Sequence, residues 1–166
     1  IWERWDGYVE GRGFQDPGMN SFCHYAIGSV GEWMYRTILG INPDEADPGY
    51  KHIVLKPVPG GGLQWAKGSY QSIRGPIRSE WRLDGKDLTL EVAIPANTTA
   101  TLYLPASDAA TVSEGGKPAA QAEGVTFVRM DATAAVYELG SGSYEFVSKN
   151  APVAGDSPAA KRSVSP

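Results

Sequence analysis

From about residue 50 onward, apolar and polar residues alternate. Leu88, Leu90, Val92 and Ile94 fall on one side of an extended chain, with Thr89 and Glu91 on the other. The same two-residue period marks His52 to Lys56, Leu63 to Gln71, Ile77 to Leu83, Thr99 to Leu104, Gly124 to Met130, Ala135 to Leu139 and Tyr144 to Val147. Asp84-Gly85-Lys86 between two such runs signals a tight hairpin, and Ser141-Gly142 marks a second turn. About eight short, evenly spaced strands with almost no helical pattern predict an antiparallel β-sandwich over residues 43–147.

The first part of the chain has a different rhythm. Glycines and Pro17 interrupt residues 1–19, which read as loop. Phe22, Ala26, Val30, Trp33, Met34 and Ile38 then recur at spacings of three and four, predicting one helix over 21–39. Asn20 or Ser21 is its expected N-cap, and Gly40 fits the position after its end. Gly28 and Gly31 each cost about 1 kcal/mol relative to Ala inside a helix. That cost suggests packing against a second helix, and the sequence contains no other long helical pattern.

Composition narrows the function. The chain has 166 residues, 42% of them apolar, enough for one domain and part of another. A net charge of −4 without any basic stripe argues against a nucleic-acid partner. No apolar run approaches the roughly 20 residues that span a bilayer, so no membrane partner is expected. Cys23 is the single cysteine, which excludes an intrachain disulfide and a cysteine-based zinc site and reads as a buried thiol. No phosphate-cradling or dinucleotide motif is present, and neither a cofactor nor a metal is expected. Residues 148–166, rich in Pro, Ala and Ser, are expected to form a disordered tail. The aromatic-dense opening, IWERWDGY, reads as the continuation of something upstream.

Candidate chemistry gathers in that opening. Glu3 lies between Trp2 and Trp5, and indoles stack on the apolar faces of sugars beside a catalytic carboxylate. An exposed Glu beside two core tryptophans is the plainer reading of the same pattern. His24 falls in the first turn of the expected helix, where its imidazole could meet a sugar hydroxyl or simply pack inward. Asp6, Glu10, Arg12 and Asp16 share the loop and either ring a polar pocket or face solvent. His52, in a strand, reads as structural.

Several blocks together carry a family resemblance. Ile1-Trp-Glu-Arg-Trp-Asp-Gly-Tyr8, Met19-Asn-Ser-Phe-Cys-His-Tyr-Ala26, Gly28-Ser-Val-Gly-Glu-Trp33, Pro48-Gly-Tyr-Lys-His-Ile53, Pro57-Val-Pro-Gly-Gly-Gly-Leu63, Ala66-Lys-Gly-Ser-Tyr70 and the run from Ile94 to Pro105 resemble the bacterial α-L-rhamnosidases of glycoside hydrolase family 78. The resemblance covers about residues 1–147. It implies that residues 1–42 are the last part of an (α/α)6 catalytic barrel and residues 43–147 a C-terminal β-sandwich. The implied activity is hydrolysis of terminal α-L-rhamnose, with inversion, from rhamnose-containing glycosides or polysaccharides. Inversion needs a general acid and a general base on opposite faces of the sugar. The resemblance gives the base role to Glu3 and substrate binding to His24, with Trp2 and Trp5 beside them, and puts the general acid upstream. Cys23 departs from the Asn usual in the family, a weaker hydrogen-bond partner. Two alternatives stay open: a non-catalytic carbohydrate-binding or structural sandwich, and a related barrel enzyme acting on another sugar. With a single helix to cover its aromatics, the isolated chain is expected to self-associate through residues 1–40 or to hold that segment loosely.

Overall fold

The structure, a computed structural model, describes residues 2–155. The chain folds as two compact units that divide between Met34 and Tyr35. The expected boundary, at residue 42, lies eight residues later. The difference has a physical origin: Leu39 and Ile41 are buried in the core of the second unit.

The first unit is irregular. A two-residue ribbon pairs β1 (Tyr8–Val9) with β2 (Gly13–Phe14), and a single 3-10 turn covers Pro17–Met19, capped by the Asp16 carboxylate on the Gly18 amide. The helical segment starts later than the sequence predicts. A 3-10 turn at Tyr25–Ile27 leads into α1 (Gly28–Trp33), and Met34–Ile38 continues as a π turn. Its N-cap is His24, not Asn20 or Ser21. The reason is local: the Ser21 amide and carbonyl are both bonded to Glu3, so the chain there cannot enter a helix. Cys23 lies in this non-helical link and is exposed, which corrects the expected buried thiol. A Cβ added at Gly28 or Gly31 meets nothing within 4 Å, so neither glycine makes the close helix contact their cost suggested.

The second unit is a sandwich of two sheets around one core. The first sheet runs in the order β10 (Lys117–Pro118), β9 (Val112–Glu114), β13 (Gly142–Ser148), β7 (Asp87–Ile94), β6 (Gly75–Asp84), β5 (Trp65–Ser72). The second runs β11 (Val125–Asp131), β12 (Ala134–Leu139), β8 (Thr99–Pro105), β4 (His52–Leu55), β3 (Ile41–Pro43). All eight strands legible from the alternation are present. Between the named strands the pairing is antiparallel except for β4 and β8, where His52 aligns with Thr99 and Leu55 with Leu102 in parallel. The additional strands β3, β9 and β10 are two or three residues long, too short for a period to show.

The alternation fixes which faces meet. Leu88, Leu90, Val92 and Ile94 point into the core with Trp81 and Phe146 from the same sheet and Leu102, Leu104 and Tyr137 from the other. The helical segment ends on this core. The carbonyls left unbonded at a helix C-terminus need donors, and two come from β6: Trp81 Nε1 donates to Ile38 O at 2.8 Å and Ser79 Oγ to Leu39 O at 2.7 Å. Gly40, at φ +73°, turns the chain out of the helix in the left-handed conformation expected after a helix end. A Cβ there would lie 2.1 Å from Pro57 N, so the position is closed to any other residue without moving β4's continuation. His52 is structural, as expected: its ring nitrogens meet Thr99 Oγ1 at 2.7 Å and Thr101 Oγ1 at 2.8 Å on the sheet surface.

The ordered chain also passes the expected tail boundary at 148. Ala151 is buried, its amide bonded to Lys86 O, and Ala154 N donates to Pro59 O. Apolar burial and backbone pairing therefore hold residues 149–155 to the sandwich. The rest of the expected tail lies outside the described residues.

Candidate active site

The site is built where the chain folds back on its own opening. The amide of Glu3 donates to Ser21 O at 2.7 Å, and the amide of Ser21 donates to Glu3 Oε2 at 3.0 Å. This reciprocal pair brings two segments 18 residues apart in sequence into register and fixes one carboxylate oxygen. The other, Oε1, lies 3.7 Å from His24 Nε2. His24 Nδ1 accepts from the Ala26 amide at 3.4 Å as the helix cap, so Nε2 is the nitrogen that carries hydrogen toward Glu3. The His24 ring also stacks on Tyr25, with centroids 4.9 Å apart. Side-chain exposures of 24% for Glu3 and 28% for His24 leave both reachable from solvent yet oriented by neighbours, although the backbone around Glu3 is open.

The loop between these segments is held by Asn20. Its Nδ2 donates to Gly7 O at 2.8 Å, and Gln15 N donates to the same carbonyl at 3.0 Å. Gly7 has to be small: a Cβ would lie 2.4 Å from Asn20 Oδ1. A line of edge-to-face aromatics, Trp2 on Phe22, Phe22 on Phe14, and Phe14 on Tyr8, supports the loop with centroid separations of 4.8 to 5.5 Å.

The expected site residues are therefore only partly gathered. Glu3 and His24 face each other. Trp2 is engaged with Phe22, and Trp5 is 95% exposed. The acidic loop residues form no ring: Asp6 is paired with Arg4 by two hydrogen bonds of 2.6 and 2.8 Å, and Asp16 is spent on its cap. The Arg4 hydrogen bonds hold the Asp6 carboxyl below its ordinary range. Sequence reading missed the Ser21 amide, because a backbone donor leaves no mark in the residue type. Among the described residues no group of three or more His, Cys, Asp or Glu side chains could hold a metal ion.

Chemically, the arrangement presents a carboxylate with one oxygen anchored by an amide and the other available to accept a proton. Beside it sits an imidazole N–H that can bind a hydroxyl, and exposed indoles lie nearby in sequence.

Comparison with known proteins identifies the family to which the chain belongs. Residues 1–38 match the family model of the bacterial alpha-L-rhamnosidase 6 hairpin glycosidase domain, and residues 40–119 that of the bacterial alpha-L-rhamnosidase C-terminal domain. An alpha-L-rhamnosidase of Streptomyces avermitilis is 43% identical over 146 residues, 88% of this chain and 13% of that protein. One of Formosa agariphila is 34% identical over 149 residues, 90% of this chain and 16% of that protein. The chain thus spans under a fifth of the length of these curated relatives. Among solved structures, the S. avermitilis alpha-L-rhamnosidase complexed with L-rhamnose superposes with a TM-score of 0.74 at 42% identity, over 90% of this chain and 14% of that one. The alpha-L-rhamnosidase of Dictyoglumus thermophilum gives 0.71 at 28% identity, over 89% and 16%. Both domain models and these relatives agree along the chain, which belongs to the bacterial alpha-L-rhamnosidase family and carries part of its 6 hairpin glycosidase domain together with its C-terminal domain.

Proposed function

We propose that the chain is the C-terminal portion of an inverting α-L-rhamnosidase and supplies its general base, Glu3. The observation that carries this reading is the Glu3 carboxylate itself, anchored through Oε2 on the Ser21 amide with Oε1 left toward His24. In the proposed step, Oε1 takes a proton from a water molecule as that water attacks the anomeric carbon. The bond to the leaving oxygen breaks on the opposite face, where an acid from elsewhere in the enzyme protonates it. His24 Nε2–H hydrogen-bonds a rhamnose hydroxyl, and Trp5 and Trp2 offer apolar surface to the ring. The substrate is a rhamnose-containing glycoside or polysaccharide, in keeping with the related S. avermitilis enzyme complexed with L-rhamnose.

One carboxylate cannot serve both faces of the ring, so the chain by itself should be inactive. Purified residues 1–166 incubated with an aryl α-L-rhamnoside should release no aglycone above background. Turnover by this chain that disappears in Glu3→Gln would show that acid and base are both present and overturn the assignment.

A further inference from the structure

The outer face of the six-stranded sheet carries a pattern that neither the core nor Glu3 uses. Register places its outward residues in transverse rows. Lys67, Glu80, Glu91 and Glu145 stand directly opposite one another across β5, β6, β7 and β13. The next row is Ser69, Arg78, Ala93 and Ser143, and the row on the other side begins with Trp65 and Arg82. Ala93 is the small residue in the middle, and the face there is hollowed into a groove of about 620 Å³. That volume lies within the range of about 300–1,000 Å³ found for small-molecule sites. With neighbouring strands about 4.8 Å apart, the row from Lys67 to Glu145 spans about 14 Å.

The charges are not arranged for stability. Glu80 is matched: Lys67 Nζ lies 2.5 Å and Arg82 3.0 Å from its oxygens, and these bonds hold its carboxyl below the ordinary range. Glu91 and Glu145, directly opposite each other, have no such partner among the described residues, and Arg78 in the adjacent row pairs with neither. Like charges facing across strands are destabilising. A local rule broken without local compensation is the mark of a position kept for something else.

We propose that this groove binds a neutral oligosaccharide. Glu91 and Glu145 accept from ring hydroxyls, Arg78 donates to them, and the indole of Trp65, 65% exposed at the end of the adjacent row, stacks on a sugar face. The lining holds four carboxylates against two cations, which disfavours an anionic ligand. The interspersed Arg78 and Lys67 count against a basic peptide. A chain of hydroxyls, each both donor and acceptor, suits both signs at once. The groove lies within the second unit and does not depend on the role given to Glu3.

The test is an NMR titration of ¹⁵N-labelled residues 1–166 with two neutral sugars, rutinose and maltotetraose. Backbone amide shifts should cluster in β6, β7 and β13 around Arg78, Glu91 and Glu145 with at least one of them, and should be unchanged in Glu3→Gln. Arg78→Ala, Glu91→Gln and Trp65→Ala should each weaken binding about tenfold, the loss of about 1.4 kcal/mol expected for one hydrogen bond or stack, while none lowers the thermal unfolding temperature and Glu91→Gln, which relieves the repulsion from Glu145, raises it slightly. Three results would overturn the proposal: no shifts at tens of millimolar sugar, shifts confined to residues 2–34, or a stronger response to a lysine oligopeptide than to either sugar. Binding that survives all three substitutions would do so as well. Because Glu3→Gln leaves the groove intact, failure here is separable from failure of the catalytic assignment.

Discussion

Replacing Glu3 by Gln in an enzyme containing this chain is expected to lower kcat by about 10²–10⁴-fold, with only a modest change in KM. Glutamine keeps the shape and the interaction that orients the group: its carbonyl oxygen can still accept from the Ser21 amide, as Glu3 Oε2 does at 3.0 Å. What is lost is the proton acceptor. An amide oxygen cannot remove a proton from water, so the loss falls on the transition state, and the expected factor corresponds to about 3–5 kcal/mol of barrier. In the sugar-binding role proposed for it, His24, whose Nε2 faces the other oxygen at 3.7 Å, is untouched by the substitution, so KM is expected to stay nearly constant. Steady-state kinetics on an aryl rhamnoside check this. A kcat within a few-fold of the parent would remove Glu3 from the role.

The second large effect concerns the sandwich. Trp81→Ala should destabilise the second unit by about 3–5 kcal/mol. Trp81 has no exposed surface, aligns with Ala66 and Leu90 on the neighbouring strands, and donates through Nε1 to the Ile38 carbonyl. Truncation leaves a large cavity and strips the helix end of one of its two side-chain donors from β6. Trp65→Ala is the matched control. The same residue type on the exposed face of the next strand should change stability by no more than about 0.5 kcal/mol. Chemical denaturation of both variants reads the contrast, and equal losses would mean that the core is not centred on Trp81.

These two residues also show what a sequence reveals and what it hides. Inward positions of β7 were legible because a two-residue period puts Leu88, Leu90, Val92 and Ile94 on one face, and all four are buried. The parallel contact of β4 with β8 was not, because it joins segments 47 residues apart and no local pattern encodes it. The helix start was misplaced because its apolar spacing continues back to Phe22, while backbone bonds between Ser21 and Glu3 hold the chain out of the helix. Glu3 and His24 were legible as residue types within recognisable blocks. Their 3.7 Å approach depends on the fold-back, and the Ser21 amide that anchors Glu3 carries no side-chain signal. Likewise, Glu80, Glu91 and Glu145 read singly as solvated strand residues, and only strand register sets them in one row.

The most direct measurement of the central claim is chemical rescue. In an enzyme carrying Glu3→Gly, the base is gone and space is left where it stood. Azide, which needs no deprotonation, can then form the bond to the anomeric carbon on the face opposite the leaving oxygen, while the acid protonates that oxygen as its bond breaks. If Glu3 is the general base of an inverting reaction, added azide restores turnover and the product is the β-L-rhamnosyl azide, inverted from the α-linked substrate. An α-configured azide, or a Glu3→Gly enzyme as fast as its parent without azide, would contradict that account.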